Sequence, residues 1–178
     1  LTSGRLVATM EHLAPELCRW LGCSFFSDDN GKTWTRSNWI DLGGHGHHDG
    51  TLEPAVVELK DGRLMMLIRT NLDRFWSAYS DDQGRYWREV RPTSIEASSA
   101  PAWLTRLNSG RLAMAWNPLH GEGKETAKCG SKSMSEFPAS WYREELCLAF
   151  SDDDGLSWTT PAIIARYPGK SLAYPYIF

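Results

Sequence analysis

An eight-residue unit recurs three times in the 178-residue chain and constrains the fold more than any other feature. It reads Ser27-Asp28-Asp29-Asn30-Gly31-Lys32-Thr33-Trp34, then Ser80-Asp81-Asp82-Gln83-Gly84-Arg85-Tyr86-Trp87, then Ser151-Asp152-Asp153-Asp154-Gly155-Leu156-Ser157-Trp158. The shared pattern is S-D-D-x-G-x-x-W. Asp side chains accept hydrogen bonds from nearby backbone N–H groups and Gly takes positive φ, so the centre of each unit is turn chemistry. The Trp anchors the turn to an apolar layer, which places Trp34, Trp87 and Trp158 in the core. Short apolar runs at 23–26, 76–79 and 147–150 lead in, and extended stretches follow. Each unit is expected to be a hairpin turn between two strands.

A second repeat interleaves with the first. Ser3-Gly4-Arg5-Leu6, Asp61-Gly62-Arg63-Leu64 and Ser109-Gly110-Arg111-Leu112 each open an apolar run, and the Ser/Asp-Gly pair is a further hairpin signal. Strand-like runs at 55–59 and 102–107 precede the second and third. One full unit is therefore four antiparallel strands, which repeated in tandem make the blades of a β-propeller. A helical alternative fails, because no stretch keeps a 3.6-residue period. The expected division is a blade without its first strand at 1–42, a complete blade at 51–92, and a third at 98–166 with an insertion at 119–142. Residues 172–178 read as the first strand of a further blade. About three blades make half of a six-bladed ring. Either neighbouring sequence completes the ring, or a homodimer closes it, each tail strand completing the partner's first blade.

Composition removes other classes. Nineteen basic and 22 acidic side chains give a net charge of −3, which offers no support for a nucleic-acid or anionic-membrane partner. No apolar run approaches the ~20 residues of a spanning helix. Cys18, Cys23, Cys129 and Cys147 form no C-x-x-C pair, so no zinc site is expected; Cys18 and Cys23 are close enough in sequence to bridge, and free buried thiols are the plainer reading. His45, His47, His48 and Asp49 lie in a Gly-rich loop without helical spacing. No metal is assigned to them, but His48 is a candidate for contacting substrate hydroxyls. Nine Trp in one chain suggest repeated structural use or carbohydrate stacking, with Trp20, Trp39, Trp76, Trp103, Trp116 and Trp141 the ones the boxes leave over. No cofactor is called for.

The three boxes resemble the Asp-boxes of the sialidase (neuraminidase) superfamily, also called bacterial neuraminidase repeats. The run from Thr51-Leu52-Glu53-Pro54 through Leu67-Ile68-Arg69 is similar to the family segment carrying a buried Glu and, one strand later, a substrate Arg. The resemblance implies an all-β sialidase-type propeller and an exo-acting glycoside hydrolase for sialic acid or a related acidic sugar. It implies Tyr174 as nucleophile, Glu53 as its base, and Arg69 and Arg143 as anchors for the sugar carboxylate. It also implies a secreted or periplasmic setting, and occasional structural Ca²⁺. The family's first Arg and acid Asp find no counterpart, and Glu53 and Tyr174 are each followed by Pro. Arg suits the anchor because its guanidinium binds carboxylate bidentately and stays charged. A Tyr nucleophile avoids the repulsion a carboxylate would meet there. Counting seven residues from each turn glycine gives Glu11, Arg69 and Asn117 at equivalent strand ends, which adds Asn117 to the substrate-binding candidates. The alternatives are a non-catalytic propeller that binds glycan or protein, and a half-propeller that self-associates.

Overall fold

The computed structural model describes residues 1–125, 128–129 and 135–177, so part of the expected insertion and the last residue of the expected tail strand lie outside the described residues. The described chain is all β, with no helix. The first sheet has three strands, β1 (Leu6–Ala14), β2 (Arg19–Ser27) and β3 (Thr35–Arg36), in that order. The second is a four-stranded meander of β4 (Leu52–Glu58), β5 (Leu64–Arg69), β6 (Arg74–Ser80) and β7 (Arg88–Glu96). The third orders β8 (Trp103–Arg106) and β9 (Leu112–Trp116) beside β12 (Glu145–Ser151) and β13 (Ala162–Arg166). Between β9 and β12, β10 (Lys128–Cys129) and β11 (Ala139–Ser140) form a two-stranded ladder of their own. All pairings within the sheets are antiparallel, and the whole is an unclosed part of a propeller. No described helix is long and apolar enough to cross a membrane.

The three boxes fold alike. In each, the Ser hydroxyl donates to the second Asp at 2.8 Å and accepts the Gly N–H at 2.8–2.9 Å. The same Asp accepts the backbone N–H four residues on, from Thr33, Tyr86 or Ser157, at 2.8 Å. The two central residues both have positive φ, 58° and 82° at Asn30-Gly31, as a tight hairpin with right-handed twist requires.

Side-chain alternation along β5 divides the core. Leu64, Met66 and Ile68 face the first sheet with Trp87 and Ile40, while Met65 and Leu67 face the third with Leu112, Met114 and Trp116. Two of the box Trp residues reach back to the preceding sheet: Trp87 Nε1 donates to Ser24 Oγ on β2 at 2.8 Å, and Trp158 packs beside Met65 and Phe75. Trp34 departs from expectation. It is 44% exposed, against 2% for Trp87; Leu6 and Met10, which match the buried Leu64 and Ile68 in register, are exposed as well. The reason is positional: β4 of the second sheet packs on the other side of the first, and no described sheet covers this face. Residues 171–177 form no ladder; a backbone bond from Leu172 N–H to Arg143 O and the Tyr176 ring against Trp103 hold them beside the third sheet. Cys18, Cys23 and Cys147 are free thiols.

Candidate active site

Glu53 sits at an irregularity that its own sequence creates. Pro54 has no N–H for the ladder, and the register of β4 against β5 shifts between Leu52 and Ala55. Such a bulge re-aims the side chain it carries. Glu53 adopts a φ of 36°. Tyr174, also followed by a proline, has a φ of 59°. Left-handed backbone at a non-glycine costs on the order of 1–3 kcal/mol and persists where the surroundings enforce it. The two strained residues meet: Tyr174 Oη donates to Glu53 Oε1 at 3.0 Å.

The other oxygen of Glu53 accepts from Arg69 Nη1 at 2.6 Å. Arg69 ends β5 on the side facing the third sheet, only 4% exposed, and its Nε and Nη2 donate to Ser99 Oγ at 3.2 and 3.1 Å. Arg143, just before β12, donates through Nη2 to the backbone oxygen of the same Ser99 at 2.9 Å. Both guanidinium carbons lie near the Trp141 ring, 5.8 Å for Arg69 and 5.6 Å for Arg143, and Arg143 is 5.8 Å from the Tyr174 ring. Arg143 Nε is buried without a hydrogen-bond partner. Burial, then the charge of Arg69, presses the Arg143 guanidinium below its ordinary pKa. Arg69 thus pairs with the Glu53 carboxylate while Arg143 stands beside it as a second cation, an arrangement that suits a further anion.

His48 stands at the rim, edge-on to Trp141 with ring centroids 5.0 Å apart. Burial, then the electrostatic influence of His47, Arg69 and Arg143, lowers its pKa. Its loop is fixed by the buried Asp49, which accepts from His45 N–H at 3.1 Å, Ser135 Oγ at 2.6 Å and Glu136 N–H at 2.7 Å. Among the described residues no group of three or more His, Cys, Asp or Glu is gathered as for a metal. Asn117 lies below the cleft, fully buried, with its amide nitrogen donating to Glu145 O and Leu172 O, both at 2.7 Å. Glu11, its equivalent on β1, accepts the backbone N–H of Glu53 through Oε2. Burial, the largest influence on it, raises its carboxyl pKa.

The whole chain, residues 1–178, matches the family described as BNR repeat-like domain. It belongs to that family. No curated protein matches. Among solved structures, the Hadza microbial sialidase Hz136 aligns over 92% of this BNR repeat-like chain and 29% of its own, with a TM-score of 0.65 at 19% identity. The NanB sialidase from Streptococcus pneumoniae covers 92% of the chain and 22% of its own length, with a TM-score of 0.59 at 21% identity. A Trypanosoma rangeli sialidase in complex with 2,3-difluorosialic acid, titled a covalent intermediate, covers 96% and 24%, with a TM-score of 0.57 at 18% identity. At these identities the likeness is one of fold. The chain spans less than a third of each of these sialidases.

Glu53, Arg69, Arg143 and Tyr174 converge from four separate segments, with His48 at the edge. Ser99 escaped sequence reasoning: it lies in a run of small residues between blades, and no motif marks it. Asp49 carries no signal in the sequence beyond its place beside the histidines. The position of Glu11 was visible in the register count, but not its contact with Glu53.

Proposed function

We propose that the site is that of a sialidase-like, exo-acting glycoside hydrolase for sialic acid or a related acidic sugar. The observation that carries this reading is the Tyr174–Glu53–Arg69 chain, in which one carboxylate receives a tyrosine hydroxyl on one oxygen and a guanidinium on the other. A Tyr hydroxyl poised on a base is a nucleophile arrangement. Paired with adjacent arginines it suits a sugar bearing a carboxylate at its anomeric carbon. The substrate carboxylate would take the cationic surface of Arg143 and Arg69. Tyr174 Oη then attacks the anomeric carbon as the glycosidic C–O bond breaks, and the phenolic proton passes to Glu53. The departing oxygen takes a proton from an acid that the described residues do not supply, or from water. Water next attacks the anomeric carbon as its bond to Tyr174 Oη breaks; Glu53 returns its proton to the phenolate, the water's proton passes to the conjugate base of that acid or to solvent, and the two inversions retain configuration.

The test is sugar release from a sialoside by the wild-type protein and by Tyr174→Phe. Release should fall about 10³-fold or more, the scale for removing a nucleophile. Unchanged release by Tyr174→Phe refutes the mechanism. Tight glycan binding by a wild type that releases no sugar would favour a binding propeller instead.

A further inference from the structure

The same register position is used three times around this site. Seven residues after each turn glycine stand Glu11, Arg69 and Asn117. Arg69 grips the Glu53 carboxylate. The other two touch backbone. Glu11 accepts the N–H of Glu53, the residue whose φ is 36°. Asn117 donates to the carbonyl of Leu172, two residues before Tyr174, whose φ is 59°. Leu172 is tied further by its own N–H to Arg143 O at 2.6 Å, so Asn117 and the Arg143 backbone hold both sides of one peptide segment. Each strained residue is followed by proline, which already disfavours α-type backbone at the preceding position. A conformation disfavoured twice needs an external hold, and Glu11 and Asn117 supply one for each partner. Asn117 has no exposed surface with which to meet a sugar.

We propose that Glu11 and Asn117 are positioning residues, Glu11 for the base Glu53 and Asn117 for the segment carrying the nucleophile Tyr174. The assignment rests on the Tyr174–Glu53 reading above. It predicts that alignment of the reacting pair, and not sugar binding, is lost when either hold is removed.

The experiment compares Glu11→Ala, Glu11→Gln, Asn117→Asp and Asn117→Ser with wild type. Steady-state sialoside hydrolysis is measured alongside the rate of covalent labelling by a 2,3-difluorinated sialic acid. In that labelling the Tyr174 O–C bond forms, the anomeric C–F bond breaks, fluoride leaves and the phenolic proton passes to Glu53. Glu11→Ala and Asn117→Asp should lower both kcat and labelling rate about 10- to 100-fold, the effect of a misplacement near 1 Å, with KM changed less than about twofold. Glu11→Gln keeps an acceptor oxygen, and Asn117→Ser keeps one donor; both should recover most of the loss. A risen KM at unchanged kcat would make these substrate contacts and overturn the proposal. So would a lowered melting temperature with kcat per folded molecule unaltered. If wild type neither hydrolyses nor becomes labelled, the Tyr174–Glu53 reading itself fails. An active wild type with indifferent variants sinks only the positioning roles.

Discussion

Trp34 and Trp87 occupy the same place in two copies of one motif, yet they should differ several-fold in what their removal costs. Trp87 is 2% exposed, packs among Leu64, Met66, Ile68 and Ala78, and donates to Ser24 Oγ. A fully buried Trp removes about 250 Å² from water, which at about 25 cal/mol/Å² is about 6 kcal/mol as an upper bound. Measured truncations of this kind fall at about 3–5 kcal/mol. Ser24 Oγ keeps its bond to Gly84 O, so little is added for an orphaned hydroxyl. Trp34 is 44% exposed and its indole N–H bonds within its own turn, to Gly31 O at 3.0 Å. Its truncation leaves an open notch that water fills, and about 1–2 kcal/mol is expected for the partial burial lost. Urea unfolding of Trp34→Ala and Trp87→Ala, followed by circular dichroism at dilute protein, measures the two. Equal costs, or a dearer Trp34, would refute the argument that sheet-to-sheet contact, and not the motif itself, sets the value of the Trp. A Trp34 cost that grows with protein concentration would show the open face being covered by association.

Four further outcomes follow from the geometry. Asp29 and Asp153 are held at about 2, below the ordinary 3.8, by hydrogen bonds from Thr33 and from Ser157. Their contribution to stability is complete above about pH 4 and lost as pH falls through about 2, so the melting-temperature gap between wild type and the Asp29→Asn, Asp153→Asn double variant should shrink over that window; a constant gap refutes it. The Glu11 carboxyl is raised above its ordinary 4.5, chiefly by burial, so its contribution is complete below that value and falls as pH rises through the folded one. Glu11→Gln should therefore flatten the decline of stability above pH 4.5, and an unaltered profile would count against the burial argument. Arg143→Lys should weaken calorimetric binding of free sialic acid about tenfold by losing the planar fork, while leaving the melting temperature near wild type; unchanged affinity would remove Arg143 from the anion site. Light scattering should give twice the chain mass if the exposed Leu6, Met10 and Trp34 face closes a ring with a second copy, and a monomer at high concentration would exclude that assembly.

Much of the architecture was legible because turns are local. The Ser, Asp and Gly of each box satisfy one another within a few residues, so their meaning survives without tertiary context. The interior was less legible. Leu6 and Leu64 follow the same G-R turn, but one is 41% exposed and the other is not exposed at all. Their difference lies in what packs across from them, which no local pattern encodes. Asn117 shows the same limit at the site: its polarity at a strand end suggested a cleft residue, whereas its amide is committed to two backbone carbonyls beneath the cleft.

Sequence by itself determined the hairpins, the four-strand period and the presence of Glu, Arg and Tyr at exceptional positions, because Gly backbone freedom, Asp hydrogen bonding and apolar alternation act over a few residues. Tertiary structure alone decided that Tyr174 reaches Glu53 across 121 residues of chain, that Ser99 bridges two arginines, and that Glu11 and Asn117 meet backbone. Those contacts depend on how separate sheets are set against one another. That setting comes from the shape of the packed Leu, Met and Trp side chains between them, a property of the assembled core that no single segment carries.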